Sequence, residues 1–182
     1  MGGKTVSITS FNTVQIRDQI TRPADATAYA AGDVISEVTS NDHFTFGTTQ
    51  GIDDRLGPPG TNSCTINAAI LWSSANQSTK LDAELWLFTA DIVNVADNSA
   101  FAPTDTEMLT LVAIVPFYSY NWRVGIATSG ADGNAVCFSA NFDTPVRCGA
   151  GGKLFGQLVA RNAYTPVSGE IFTVDLVGSQ DA

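Results

Sequence analysis

The sequence predicts an all-β protein, an antiparallel β-sandwich of jelly-roll type with eight or nine strands and one short helix. Three observations carry this expectation. No segment sustains apolar residues at a 3.6-residue period, whereas alternation with period two recurs along the chain. Turn-forming residues punctuate it roughly every 8–15 residues, the spacing of sandwiches and barrels. Glu and Lys, the favoured surface residues of helices, number only four and three, while Thr, Val, Ala, Gly and Asn are plentiful. Eight strands with long connections favour the jelly roll among such folds.

The elements follow in order. Residues 1–10 are polar and Gly-rich and read as an arm, leaving 11–182 as a single sandwich domain. Val14, Ile16 and Ile20 alternate with Gln15, Arg17 and Gln19, a half-buried strand whose apolar face is interrupted by Asp18. Pro23 marks a turn, and an extended pattern resumes over Tyr29–Val38. Gln50–Gly60 is dense in Gly, Pro and Asp and reads as a loop. After it, Cys64, Ile66, Ala68, Ile70 and Trp72 are expected on one face of a strand, with Thr65, Asn67 and Ser73 on the other. Ala83–Ala90 holds the consecutive run Leu85, Trp86, Leu87 and Phe88, apolar on both faces, and reads as a central or interface strand.

Thr104 and Glu107 have the spacing of a capping box, so a helix of about one turn is expected there. Leu109–Phe117 returns to a strand, stopped or bulged at Pro116. Ala135–Ala140, Leu154–Arg161 and Glu170–Val177 complete the set, the last with Phe172, Val174 and Leu176 opposite Thr173 and Asp175.

At 182 residues the chain is long enough to bury a sizeable core without staples. Its charged fraction of 15% falls well below the usual ~25%. A net charge of -9 leaves no material for the basic stripe that nucleic acid requires, and an anionic membrane would repel it. No apolar stretch approaches the ~20 residues of a spanning helix, and no apolar signal region follows Lys4. Cys64, Cys137 and Cys148 form no CxxC pair. Three reduced thiols are the simplest reading, with a Cys137–Cys148 bridge open under oxidation.

Motifs of chemistry are sparse. A triad or a zinc site would have to use the single histidine, His43, which stands between Asp42 and Phe44. The GxSxG, GxGxxG and Walker A patterns are absent. Neither Asp132-Gly133-Asn134 nor Asp91 with Asp97-Asn98 has EF-hand spacing. A pair of glycosidase carboxylates would be invisible to such a search, because its members come from distant strands. No enzyme activity, catalytic residue, metal or cofactor is therefore expected. Tyr118, Tyr120 and Trp122 are spaced by two, so in a strand all three rings would share one face, as core, as a subunit contact or as a sugar platform. Together with Asp53, Asp54, Arg55 and Leu56 in the Gly51–Gly60 loop, they are the candidate interface residues.

Three stretches carry a resemblance. Thr21–Ile35 (TRPADATAYAAGDVI) is similar to the N-terminal signature of a group of small structural proteins of tailed bacteriophages. Leu85–Phe88 with Ala96–Phe101 resembles the middle of that group. Leu154–Leu158, Ala163–Gly169 and Ile171–Val174 resemble its end. The resemblance implies a virion protein, most like a capsid cement (decoration) protein, with a β-sandwich fold and often a trimer. The implied partners are the major capsid protein and further copies of the chain, without nucleic acid or membrane. The implied location is the outer capsid surface, after assembly in host cytoplasm. The competing expectation is a tail- or fibre-associated β-sandwich that binds a host glycan through Tyr118, Tyr120 and Trp122.

Overall fold

Ten strands and one helix make up the described part of the chain: β1 (Asn12–Thr21), β2 (Val34–Ile35), β3 (Phe44–Phe46), β4 (Ser63–Ser73), β5 (Ala83–Phe88), α1 (Asp105–Met108), β6 (Leu111–Phe117), β7 (Trp122–Val124), β8 (Ala135–Arg147), β9 (Leu154–Ala160) and β10 (Ile171–Gln180). The structure, a computed structural model, describes residues 12–47, 63–124, 134–147 and 153–180. The expected arm, the loop residues Asp53, Asp54, Arg55 and Leu56, and Cys148 lie outside the described residues.

The strands form two antiparallel sheets, ordered β1-β10-β4-β8-β7 and β2-β9-β5-β6, with β3 also paired to β9. The pairings nest: β1 with β10, β2 and β3 with β9, β4 with β8, and β5 with β6. Ile16, Ile20, Leu71, Phe172, Val174 and Leu176 of the first sheet meet Phe44, Phe46, Leu85, Leu87, Val115, Phe117 and Leu158 of the second in one core. The fold is thus an all-β sandwich. It has one or two more strands than expected because β3 and β7, of three residues each, are too short to show a period.

Two alternation readings hold directly. Phe172, Val174 and Leu176 face the core, and β5, whose run Leu85–Phe88 is apolar on both faces, lies between β9 and β6. Asp18 does fall on the inward face of β1, where it is half-buried and its Oδ2 accepts the Thr45 backbone N–H at 2.7 Å. Burial raises the carboxyl pKa above its ordinary value, against the pull of the Thr45 and Gln19 N–H groups. The polar interruption therefore ties β1 to β3.

The face expected for β4 is corrected. Ile66 points inward, but further along Ala69, Leu71 and Ser73 are the buried residues, while Ala68 and Ile70 are half-buried and Trp72 is exposed. Asn67 is an extra residue: Ile66 pairs with Gly178 and Ala68 with Val177, so one residue of β4 has no counterpart. A bulge of this kind reverses the alternation beyond it. Gly178 permits the bulge. A Cβ there would lie 2.2 Å from the Thr65 carbonyl oxygen.

Pro116 neither stops nor bulges β6. It pairs with Glu84 inside the strand, and the irregularity sits between Leu87 and Phe88. Because β6 ends its sheet, a missing N–H can face outward without cost to the ladder. The short helix is present as expected. Thr104 Oγ1 accepts the Glu107 N–H at 3.3 Å, and Glu107 Oε2 accepts the Thr104 N–H at 2.6 Å.

Residues 21–35, 96–101 and 163–169 converge. Val34 N–H donates to Ser99 O at 2.8 Å, Phe101 N–H to Gly32 O at 2.9 Å, and Tyr29 N–H to Tyr164 O at 2.9 Å. Beneath them lies the wholly buried Arg22 side chain, donating to Tyr29 Oη at 2.8 Å, Asp25 O at 2.6 Å and Asp97 Oδ2 at 3.3 Å. Tyr29 Oη in turn donates to Asp97 Oδ1 at 2.7 Å. Buried charge is tolerated only when paired and hydrogen-bonded in this way. In this structure these motif residues hold loops together.

Candidate functional site

After Phe117 the chain leaves the second sheet, and Ser119–Asn121 forms one turn of 3-10 helix before β7 begins. This turn corrects the expected row of three rings. Period-two facing requires extended backbone throughout, and a 3-10 turn rotates successive side chains by about a third of a circle. Tyr118 and Tyr120 stay outside, 45% and 71% exposed, and stack on each other with centroids 5.2 Å apart and planes 7° apart. Trp122 goes inside, with its Nε1–H donating to Leu81 O at 2.7 Å. Of the three candidates, two form a surface platform and the third anchors it.

The platform belongs to a longer feature. From Met108 through Trp122 there is no charged residue, although the chain carries 27 Asp, Glu, Lys and Arg in all. Along that run Met108, Leu109, Ile114, Tyr118 and Tyr120 are exposed, Leu109 by 88%. Isolated exposed apolar residues are ordinary; of these five, Ile114 lies on the edge strand β6 and the other four in the segments that flank it. Leu109 and Ile114 escaped the sequence reading because the same alternation that marks a strand does not say which strand is the edge.

A second feature surrounds His43. A cavity of about 700 Å³ is lined by Asp18, Glu37, Asp42, His43, Asp91 and Asn94, among others. His43 is buried, its Nε2 is 3.2 Å from Asp91 Oδ1, and its ring meets Phe155 edge-on at 5.8 Å. Burial holds the imidazole pKa below its ordinary value, with Asp91 and Asp42 pulling the other way. The carboxylates are committed to local structure. Glu37 Oε2 accepts from the N–H and hydroxyl groups of both Thr39 and Ser40, and these bonds, that of the Thr39 hydroxyl foremost, hold its pKa down at about 2. Asp42 takes the Ser40 hydroxyl at 2.6 Å and the Asn94 amide at 2.6 Å. Among the described residues no group of three or more His, Cys, Asp or Glu is arranged to hold a metal ion.

Cys137, the cysteine whose side chain is described, is a free, buried thiol. Burial pushes its pKa up to about 12, so it is an unreactive core residue.

Fold and surface together define a β-sandwich protein whose most distinctive outward feature is an uncharged aromatic and aliphatic sheet edge. No protein-family model matches the chain, and no curated protein matches it.

Proposed function

We propose that this chain is a non-catalytic structural protein of a phage virion, one that binds the outer capsid surface as a cement protein and bridges capsid subunits. The observation that carries the reading is the uncharged edge from Met108 to Trp122, with Leu109, Ile114, Tyr118 and Tyr120 exposed on it. In a chain of net charge -9, an edge with no charge of its own is where a neighbour can dock, because the acidic groups beside it are already bonded, Asp82 to the Ser119 N–H and Glu84 to Arg161. Tyr and its neighbours at the centre of a contact supply large area at low entropic cost.

The resemblance of three sequence segments to phage structural proteins supports the virion assignment. The nested strand pairs support the jelly-roll winding. A protein that binds the assembled shell and not loose subunits stabilises the shell by mass action. The test adds purified protein to capsids that lack it and measures occupancy at limiting concentration. Leu109→Ser with Tyr120→Ala is expected to lower occupancy at least about tenfold, equivalent to roughly 1.4 kcal/mol. Equal occupancy of wild type and variant would remove this edge from the mechanism.

A further inference from the structure

The outward face of the first sheet carries a second feature, independent of the capsid reading. Asp175 lies on that face, yet its side chain is fully buried. It is covered from two sides. Arg17 donates Nε–H to Oδ1 at 2.6 Å and Nη2–H to Oδ2 at 2.8 Å, and Trp72 donates Nε1–H to Oδ2 at 3.0 Å. The Arg17 side chain remains 59% exposed, and Trp72 remains 37% exposed. Arg17, Asp175 and Trp72 come from β1, β10 and β4, three adjacent strands. The indole is therefore an exposed ring pinned at its nitrogen edge by a rigid ion pair.

Beside it opens a cavity of about 310 Å³, lined by Arg17, Trp72, Ser73, Ser74, Asn134, Ile171 and Thr173. The lining combines one fixed aromatic ring with short hydroxyl and amide groups and a guanidinium whose charge is already balanced. A ligand that fits this chemistry has an apolar C–H surface and several hydroxyl groups, and no net charge. Its volume is at the small end of ligand pockets.

We propose that this cavity is a binding site for one neutral hexopyranose unit of a glycan. The ring's C–H face packs on Trp72. Its hydroxyl groups bond to Thr173, Asn134 and the Arg17 Nη1 donors that the carboxylate leaves uncommitted. Preorganisation of the indole by Asp175 removes an ordering cost that a free surface tryptophan would carry.

Saturation-transfer NMR on the full chain tests this with the methyl pyranosides of glucose, galactose and mannose and with N-acetylglucosamine, each at tens of millimolar. Transfer to at least one sugar is expected. It falls at least about tenfold in Trp72→Ala. It falls less in Trp72→Phe, which keeps a ring but loses the bond to Asp175. It is unchanged in Tyr120→Ala, which leaves this face intact. A thermal melt of each variant shows whether it is folded, and Asn134→Ala, an exposed change, provides a second weakened variant if Trp72→Ala is not. No transfer to any of the four sugars overturns the proposal, as does undiminished transfer in both Trp72→Ala and Asn134→Ala.

Discussion

Gly178→Ala puts the β4 bulge under direct test. The added Cβ would stand 2.2 Å from Thr65 O and 3.2 Å from Ile66 Cα, where ordinary contact begins at 3.4 Å. The obstructing atoms are backbone, and Thr65 and Ile66 are held by pairing to β10 on one side and β8 on the other. Relief requires the strand to move by more than an ångström or the bulge to be lost. Losing the bulge would turn Ala69, Leu71 and Ser73 out of the core. Overpacking of ordinary cores costs about 1–3 kcal/mol, and a backbone obstruction belongs at or above the top of that range. For a chain of this length about 3 kcal/mol lowers Tm by roughly 6–12 °C. Gly156→Ala is the matched control. Its Cβ would meet Phe46 Cε2 at 2.8 Å and Leu85 Cδ1 at 3.0 Å, both ends of side chains that can give way. About 1–2 kcal/mol is expected there. Calorimetry on both variants decides. A Gly178→Ala protein that melts within about 2 °C of wild type, or later than Gly156→Ala, would refute the bulge reasoning.

Three further outcomes follow from the same structure. Asp97→Ala removes one of the two carboxylates on the buried Arg22 guanidinium, leaving Asp25 Oδ1 at 3.2 Å, and is expected to cost about 1.5–3 kcal/mol, read as a lowered denaturation midpoint; a cost under about 0.5 kcal/mol would show that Asp97 does not hold the loops. Tyr29→Phe removes one hydroxyl from that network and leaves the ring, so about 1–2 kcal/mol is expected by the same measurement. His43 has its pKa depressed by burial, so below its ordinary value of 6.5 the unfolded chain takes up a proton that the folded chain resists. Stability attributable to His43 is therefore lost as pH falls from about 7 to about 5, and a His43→Gln variant should show a flatter profile over that window; parallel profiles would contradict it.

What the sequence made legible was governed by local rules. The inward set of β10, the central position of β5 and the capping box at Thr104 and Glu107 each depend on residues within one element. What it concealed depended on partners. The bulge at Asn67 is specified by Gly178, more than a hundred residues away, so alternation within β4 alone puts Ile70 and Trp72 on the face of Ile66, and the structure does not. Trp72, expected on the face of Ile66, is instead an exposed ring, and the cavity it lines could not be read from its own strand. The three-residue strands β3 and β7 give no period to detect. The Tyr118, Tyr120 and Trp122 spacing was visible, but the 3-10 turn that divides it into a surface pair and a buried anchor was not. Nothing in a linear pattern brings Arg22 and Asp97 within hydrogen-bonding distance.

Cryo-electron microscopy of the intact virion that carries this chain, beside particles from which its gene has been deleted, tests the central claim most directly. The account predicts β-sandwich density on the outer capsid surface, absent from the deleted particles, with the edge from Met108 to Trp122 facing a capsid subunit or a neighbouring copy. Density confined to the tail, or identical shells in the two particles, would contradict it.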